Sequence, residues 1–148
     1  MGVAEVFIIA VLYAQLINVY ESIKWTGGLW RLKPPFPVAE SEVPPDFYHV
    51  KLAFLYFIPF PVIALDAFFC ALGGFTVWLF NDITWHFWSV KPRYWLEWVK
   101  FYFNPRGREV VWYARFGVIA TAVTPRRMLI LTLFRIVILT LLIIFISA

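Results

Sequence analysis

The sequence predicts an all-α integral membrane protein in a single domain, residues 1–148, with three transmembrane helices or, alternatively, four. It also predicts an amphipathic, aromatic-rich interfacial helix and a proline-rich extended strap. The first observation is composition: 62% of residues are hydrophobic and only 15% are charged, whereas soluble domains carry about a quarter charged residues. The second is the presence of apolar runs of spanning length. The third is the abundance of tryptophan and tyrosine, which concentrate at membrane interfaces.

The three predicted spans are approximately residues 3–22, 52–81 and 126–148. About 20 apolar residues in a helix cross a hydrocarbon core of about 30 Å. The middle run is longer than one crossing needs, so Pro59 and Pro61 should kink the helix or mark its true beginning.

Small and capping residues add local detail. Gly73 and Gly74 allow a neighbouring helix to approach closely. Thr124 followed by Pro125 predicts the first turn of the third span, because threonine caps helices and proline suits the first helical position.

Two charges lie inside apolar runs, Asp66 in the second span and Arg135 in the third. A charge at that depth is costly, so we predict that these two structural charges pair and dock the spans. The alternatives are a proton path through Asp66, or contact of Arg135 with another subunit or with headgroups. Gln15 and Asn18 share one face of the first helix, which should therefore look at protein.

Residues 83–103 form the predicted interfacial segment. Three polar residues at helical spacing make one stripe and three aromatic residues make another, which is typical of a helix lying among headgroups. The alternative is an amphipathic helix packed on a soluble partner. The predicted lipid-facing residues of this segment are Trp85, Trp88, Arg93, Trp95, Trp98 and Lys100.

Two further segments are less regular. Residues 31–46 hold half of the ten prolines, which predicts an extended strap over a protein surface or, alternatively, a solvated linker. Residues 109–123 are apolar and β-branched and follow a turn signal at residues 104–107. They could form a fourth span, or a hairpin-like or helical segment against the membrane surface.

Metal-ligating residues are sparse. Asp46 with His49, and Asp82 with His86, each place a carboxylate and an imidazole on one helical face. Each pair supplies only two ligands, fewer than a structural zinc site needs, and the pairs flank opposite ends of the second span. We expect bound lipids, and neither metal nor haem.

The distribution of basic residues predicts orientation. Four lysines and arginines lie between the first and second spans, and eight lie between the second span and the apolar run that begins at Met128. With three spans, the positive-inside tendency places the N-terminus inside and the C-terminus outside. The dispersal of these residues among aromatic ones favours lipid headgroups over nucleic acid as partners.

We therefore predict a non-catalytic accessory subunit of a larger membrane complex, for example in an energy-transducing respiratory membrane, with other membrane subunits and lipids as partners. The alternative is a small membrane enzyme or carrier that uses intramembrane Asp and His, with or without a metal. The sequence contains no phosphate loop, nucleophile elbow or metalloprotease motif. An organellar inner membrane and a prokaryotic plasma membrane fit the sequence equally well.

Overall fold

The computed structural model describes residues 2–36 and 47–148, and most of them are helical. A short 3-10 helix covers Pro92–Tyr94. The α-helices are α1 (Val3–Thr26), α2 (Tyr48–Phe57), α3 (Pro59–Ala64), α4 (Ala67–Thr84), α5 (His86–Ser89), α6 (Trp95–Tyr102) and α7 (Pro125–Ser147), and the strands are β1 (Trp112–Phe116) and β2 (Ile119–Val123).

Three helices, α1, α4 and α7, are long and apolar enough to cross a membrane. They match the first and third predicted spans and the second half of the middle one. Only 17% of the apolar window of α7 is buried inside the protein. Its outward face is therefore built for an apolar surrounding.

The middle run does not form one helix, and the prediction of a single span over 52–81 is wrong. Helix α2 ends at Phe57, α3 begins at Pro59, and the chain turns at Leu65, which takes a left-handed backbone conformation with φ of 52°. Helix α4 then returns alongside α2 and α3. The prolines act as predicted by breaking the run, and the turn at Leu65 converts it into a helical hairpin.

Two glycines let this hairpin close, as the sequence predicts. A Cβ atom built on Gly73 would lie 2.2 Å from Cδ1 of Phe60, and one on Gly74 would lie 2.1 Å from Cδ1 of Phe57. Both distances are far below van der Waals contact, so the two phenylalanine rings rest on the glycine backbone. The close approach of α2 and α3 to α4 therefore requires glycine at both positions.

Gly74→Ala should lower the free energy of unfolding by about 1–3 kcal/mol, the usual cost of overpacking. Helix propensity alone predicts the opposite sign, because alanine is favoured over glycine by about 1 kcal/mol inside a helix. Equilibrium unfolding in mixed detergent micelles measures the change. Adding Phe57→Leu should recover part of the loss, and a Gly74→Ala protein more stable than the parent would contradict this packing.

The larger core lies between α1, α4 and the α2–α3 arm. On α1 the buried face consists of Val6, Ala10, Ala14 and Ile17, at the spacing of one helical stripe. The same core includes Leu72 and Val77 of α4 and Leu139 of α7, together with Tyr56 and Phe60 from the arm.

A second, smaller core lies at the end of the bundle where α4 stops. Trp98 and Tyr102 of α6 are buried there with Val90, Val123 of β2 and Met128 of α7. The aromatic stripe of the predicted interfacial helix therefore faces protein. Trp98 is 3% exposed, so its prediction as a lipid-facing residue is wrong: the stripe is apolar because it fills this core.

The part of the proline-rich segment that the structure describes behaves as a strap. Leu32 accepts a hydrogen bond from the amide of Lys91 and donates one to the carbonyl of Ser89. Phe36 packs edge-on against Trp98, with 4.9 Å between ring centroids. Residues 37–46 of the predicted strap, including Asp46, lie outside the described residues.

Residues 112–123 form an antiparallel β-hairpin, in which Trp112 pairs with Val123 and Phe116 with Ile119. Gly117 supplies the left-handed conformation of its turn, with φ of 73°. The all-α prediction is therefore wrong for this segment, and residues 109–123 do not form a fourth span. The β-branched content and short length of the run explain the strand geometry. Helix α7 follows directly, and Oγ1 of Thr124 caps it by accepting from the amide of Arg127.

Candidate functional site

Polar side chains of α1 and α4 meet inside the bundle. Gln15, Asn18 and Glu21 are three residues apart and therefore line one side of α1. Asn81 and Thr84 lie three apart near the end of α4. The predicted protein-facing role of Gln15 and Asn18 is confirmed, because both donate hydrogen bonds to Oγ1 of Thr84 at 2.9 Å.

Asn81 is the centre of this network. Its Nδ2 donates to Oδ1 of Asn18 at 2.7 Å and to Oε2 of Glu21 at 2.7 Å. Its Oδ1 accepts from the hydroxyl of Tyr56 at 2.5 Å. One asparagine thus joins side chains of α1, α2 and α4.

The network extends in both directions from Asn81. The hydroxyl of Tyr48, in the first turn of α2, donates to Oε1 of Glu21 at 2.5 Å. On the other side, Nε1 of Trp88 donates to Oε1 of Gln15 at 2.8 Å. Four helices, α1, α2, α4 and α5, are therefore connected by side-chain hydrogen bonds.

The central members of the network are almost inaccessible. Asn18 is 0% exposed, Asn81 is 2% exposed and Glu21 is 7% exposed. An unpaired polar group in such surroundings costs about 1–3 kcal/mol, whereas a satisfied network fixes the geometry of the helices that carry it. We interpret these residues as a polar joint that sets how α1, α2 and α4 pack.

A second polar contact joins α4 to α7. The Nη1 atom of Arg135 forms an ion pair with the Oδ2 atom of Asp82. The guanidinium also lies over the ring of Trp78, with 4.0 Å between Cζ and the ring centroid. Arg135 is only 2% exposed, so its charge is shielded by residues of its own chain.

The predicted pairing of Arg135 with Asp66 is wrong. Asp66 lies in the turn that precedes α4, where its Oδ1 accepts from the amides of Phe68 and Phe69 at 2.9 and 3.1 Å. It is an exposed N-cap rather than a charge in mid-span. The error follows from treating 52–81 as one helix, since the fold-back moves Asp66 from the middle of a helix to the beginning of one.

The candidate metal residues do not come together. Asp82 is engaged by Arg135 and not by His86. His49 accepts a hydrogen bond at Nδ1 from the amide of Arg115 at 3.0 Å, which ties α2 to the hairpin. Among residues 2–36 and 47–148, no three His, Cys, Asp or Glu side chains form a group that could hold a metal ion.

His86 is 4% exposed and stacks near Phe87, with 4.2 Å between ring centroids, and near the edge of Trp95. Burial lowers the pKa of His86 below its usual value. Its imidazole is therefore neutral at neutral pH and acts as a core side chain of α5.

The predicted interface residues divide into two groups. The indole of Trp88 bonds Gln15, that of Trp95 donates to the carbonyl of Val90 at 2.9 Å, and Trp85 packs 5.7 Å from Trp98. These tryptophans act mainly within the protein. Arg93 and Lys100 are exposed, as an interfacial role requires.

Several members of the network were not predicted from the sequence. Glu21 could have been found, because it continues the spacing of Gln15 and Asn18 on α1. Asn81 and Thr84 carry a similar spacing signal. Tyr48 and Tyr56 could not have been predicted from the sequence, since tyrosine is common in apolar helices. Only the fold-back brings their hydroxyl groups to α1 and α4.

Two grooves on the described surface lie away from this network. One, of about 480 Å³, runs along the outer face of α2 and α3 from His49 to Pro61, and another, of about 560 Å³, lies on the last turns of α7. Apolar side chains line both almost entirely, and neither lining includes the polar side chains that meet at Asn81.

Comparisons of the chain with protein-family models, with curated proteins and with solved structures found no match.

Proposed function

We propose that this chain is a non-catalytic subunit of a larger membrane assembly, anchored by α1, α4 and α7. Their length and apolar composition support the anchoring. The non-catalytic part is supported by the network around Asn81, whose polar groups bond one another. The ion pair of Asp82 and Arg135 likewise joins two charged side chains of this chain to each other.

The observation that carries the subunit role is an apolar tip on the β-hairpin. Val118 is 89% exposed, Ile119 63% and Phe116 46%, and Phe47 beside them is 60% exposed. The hairpin packs beside the first turn of α2, where His49 accepts a hydrogen bond from the amide of Arg115. Apolar side chains concentrated on a hairpin are suited to burial against another subunit.

For the host assembly we propose the energy-transducing machinery of a respiratory membrane. This part rests on the frequency of small helical subunits in such machinery, and not on a particular residue. The enzyme or carrier alternative has less support, because its Asp and His candidates are engaged separately. Asp82 pairs with Arg135, His49 bonds the hairpin, and His86 is packed among aromatic rings.

Gentle detergent extraction of the tagged chain from its native membrane tests the proposal. We expect the chain to migrate with other polypeptides in a defined particle. We expect Val118→Asp to release the chain from this particle, because burying an unpaired charge at the tip has a high free-energy cost. Thr121→Asp, at an exposed position on the same hairpin, is the matched control and should leave the particle intact. A parent chain that migrates alone, or that carries bound metal or substrate, would contradict the proposal.

A further inference from the structure

The fold-back gives the bundle a fourth apolar segment of nearly spanning length. Tyr48–Ala64, which comprises α2 and α3, has 17 residues and extends about 25 Å at 1.5 Å per residue. About 17 residues is the lower limit for a crossing. Its outer face is apolar and exposed, with Phe54 63% and Ile58 57% exposed. By length and surface, this arm resembles its three longer neighbours.

The helix ends sort into two groups. Glu21, near the end of α1, contacts Tyr48 at the start of α2 and Asn81 near the end of α4. Met128, at the start of α7, packs in the second core at that same end. We call this the basic end.

The opposite end, which we call the plain end, holds the remaining termini of the helices. Phe68, at the start of α4, stacks on Phe145, near the end of α7, with 4.7 Å between ring centroids. The turn at Leu65 and the beginning of α1 lie on this side, because α1 and α4 have their last turns together at the basic end. The chain therefore passes along the bundle four times.

Basic residues are divided between the two ends almost completely, although the basic end also carries the acidic residues Glu21, Asp82, Glu97 and Glu109. The chain has 13 lysines and arginines, and all except Arg135 belong to the basic end. The plain end carries Glu5 and Asp66 and no basic residue. Most of the basic side chains are exposed. The residues of the basic end are Lys24, Arg31, Lys33, Lys51, Lys91, Arg93, Lys100, Arg106, Arg108, Arg115, Arg126 and Arg127.

These residues come from the ends of three passes, α1, α2 and α7, and from the elements between the passes, so no single element carries them. A planar array of negative charge fits such a distribution better than one acidic protein does. The inner leaflet of biological membranes is anionic, and each lysine or arginine near it contributes about 1 kcal/mol of attraction.

We infer that Tyr48–Ala64 is a fourth membrane crossing and that the basic end lies against the anionic leaflet on the inner side, with both termini on the outer side. This inference rests on the membrane anchoring proposed above. It reverses the N-terminal orientation expected from three spans, because the fourth crossing brings the basic residues of every connection to the same side.

Single-cysteine labelling tests the topology. The chain is expressed in a bacterial plasma membrane, with Cys70→Ser removing the native cysteine. A single cysteine then replaces either Leu65, in the turn at the plain end, or Pro105, in an exposed turn at the basic end. A membrane-impermeant maleimide should label Leu65→Cys in intact cells and Pro105→Cys only in inverted vesicles, each at least tenfold more than from the other side.

Three results overturn parts of the account, and they are distinguishable. If Leu65→Cys is labelled from neither side of intact membranes, the turn lies in mid-membrane, and this result refutes the fourth crossing. Labelling of both positions from one side refutes the assignment of the two ends. Release of the chain from membranes by alkaline carbonate refutes the anchoring itself, and with it the proposed function.

The leaflet contact has its own measurement. In nanodiscs of anionic phosphatidylglycerol the purified chain should have a higher thermal midpoint than in nanodiscs of neutral phosphatidylcholine. The difference should vanish at about 1 M salt, where the screening length is about 3 Å. The difference in thermal midpoint between the two lipids should become smaller when four arginines are replaced together by glutamine: Arg106, Arg108, Arg126 and Arg127. Gln15→Leu should instead lower the thermal midpoint equally in both lipids. Equal parent midpoints in the two lipids would refute the contact.

Discussion

Replacing Arg135 by leucine should lower the free energy of unfolding by about 3–5 kcal/mol, the usual cost of removing one partner of a buried ion pair. The reason is that the largely buried carboxylate of Asp82 loses the guanidinium that pairs with it. The contact of α7 with Trp78 is lost in the same change. Equilibrium unfolding of the purified chain in mixed detergent micelles measures the effect.

Arg126, exposed in the first turn of the same helix, provides the matched control. Arg126→Leu should change the free energy of unfolding by no more than about 0.5 kcal/mol, as is usual for surface positions. Equal effects at positions 126 and 135 would show that the depth and partner of Arg135 do not matter.

Replacing Asn81 by leucine is the second change with a large expected effect. Three hydrogen bonds are lost at once, and Asn18, Glu21 and Tyr56 each lose a partner inside the bundle. Each unsatisfied buried group costs about 1–3 kcal/mol, so we expect a loss of about 3 kcal/mol or more. The same unfolding titration measures it.

A graded comparison separates the network from simple packing. Tyr56→Phe removes one hydrogen bond to Asn81 and keeps the ring, so it should cost only about 1 kcal/mol. If Asn81→Leu were as mild as Tyr56→Phe, or stabilising, the hydrogen bonds of Asn81 would not be holding the helices.

The sequence predicts those parts of this fold that depend on local composition. Apolar length marks α1, α4 and α7, and Thr124 with Pro125 marks the beginning of α7. The fold-back of the middle run is different. Pro59 signals a break, but the direction of the chain is decided at Leu65, a residue without turn propensity, through packing of Phe57 on Gly74. Local sequence does not encode that tertiary contact.

The same distinction explains the site. Gln15 and Asn18 were predicted to face protein because their spacing is a property of one helix. The partner of Arg135 was predicted incorrectly. Asp66 and Asp82 both lie near the middle apolar run, and only the turn at Leu65 determines which of them reaches Arg135. The aromatic stripe of α6 has the pattern of an interfacial helix, yet Trp98 lies in a core formed with residues of α7 and the hairpin.

The structure also changes the reason for expecting partners. From the sequence, contact with another subunit is one alternative for the shielding of Arg135. Arg135 is shielded by Asp82 and Trp78, and Asn18 by Asn81 and Thr84, all within this chain. The case for partners therefore moves to the apolar tip at Val118, and the polar contacts become the means by which the bundle keeps its shape.

The central claim is that this chain shields its own intramembrane charges, and a double-mutant cycle on the purified protein tests it most directly. Stability is measured for Asp82→Leu, Arg135→Leu and the double variant in the absence of other subunits. Coupling of about 1–3 kcal/mol, with the double variant more stable than Arg135→Leu alone, is the predicted result. Additivity of the two changes within about 0.5 kcal/mol would contradict the claim.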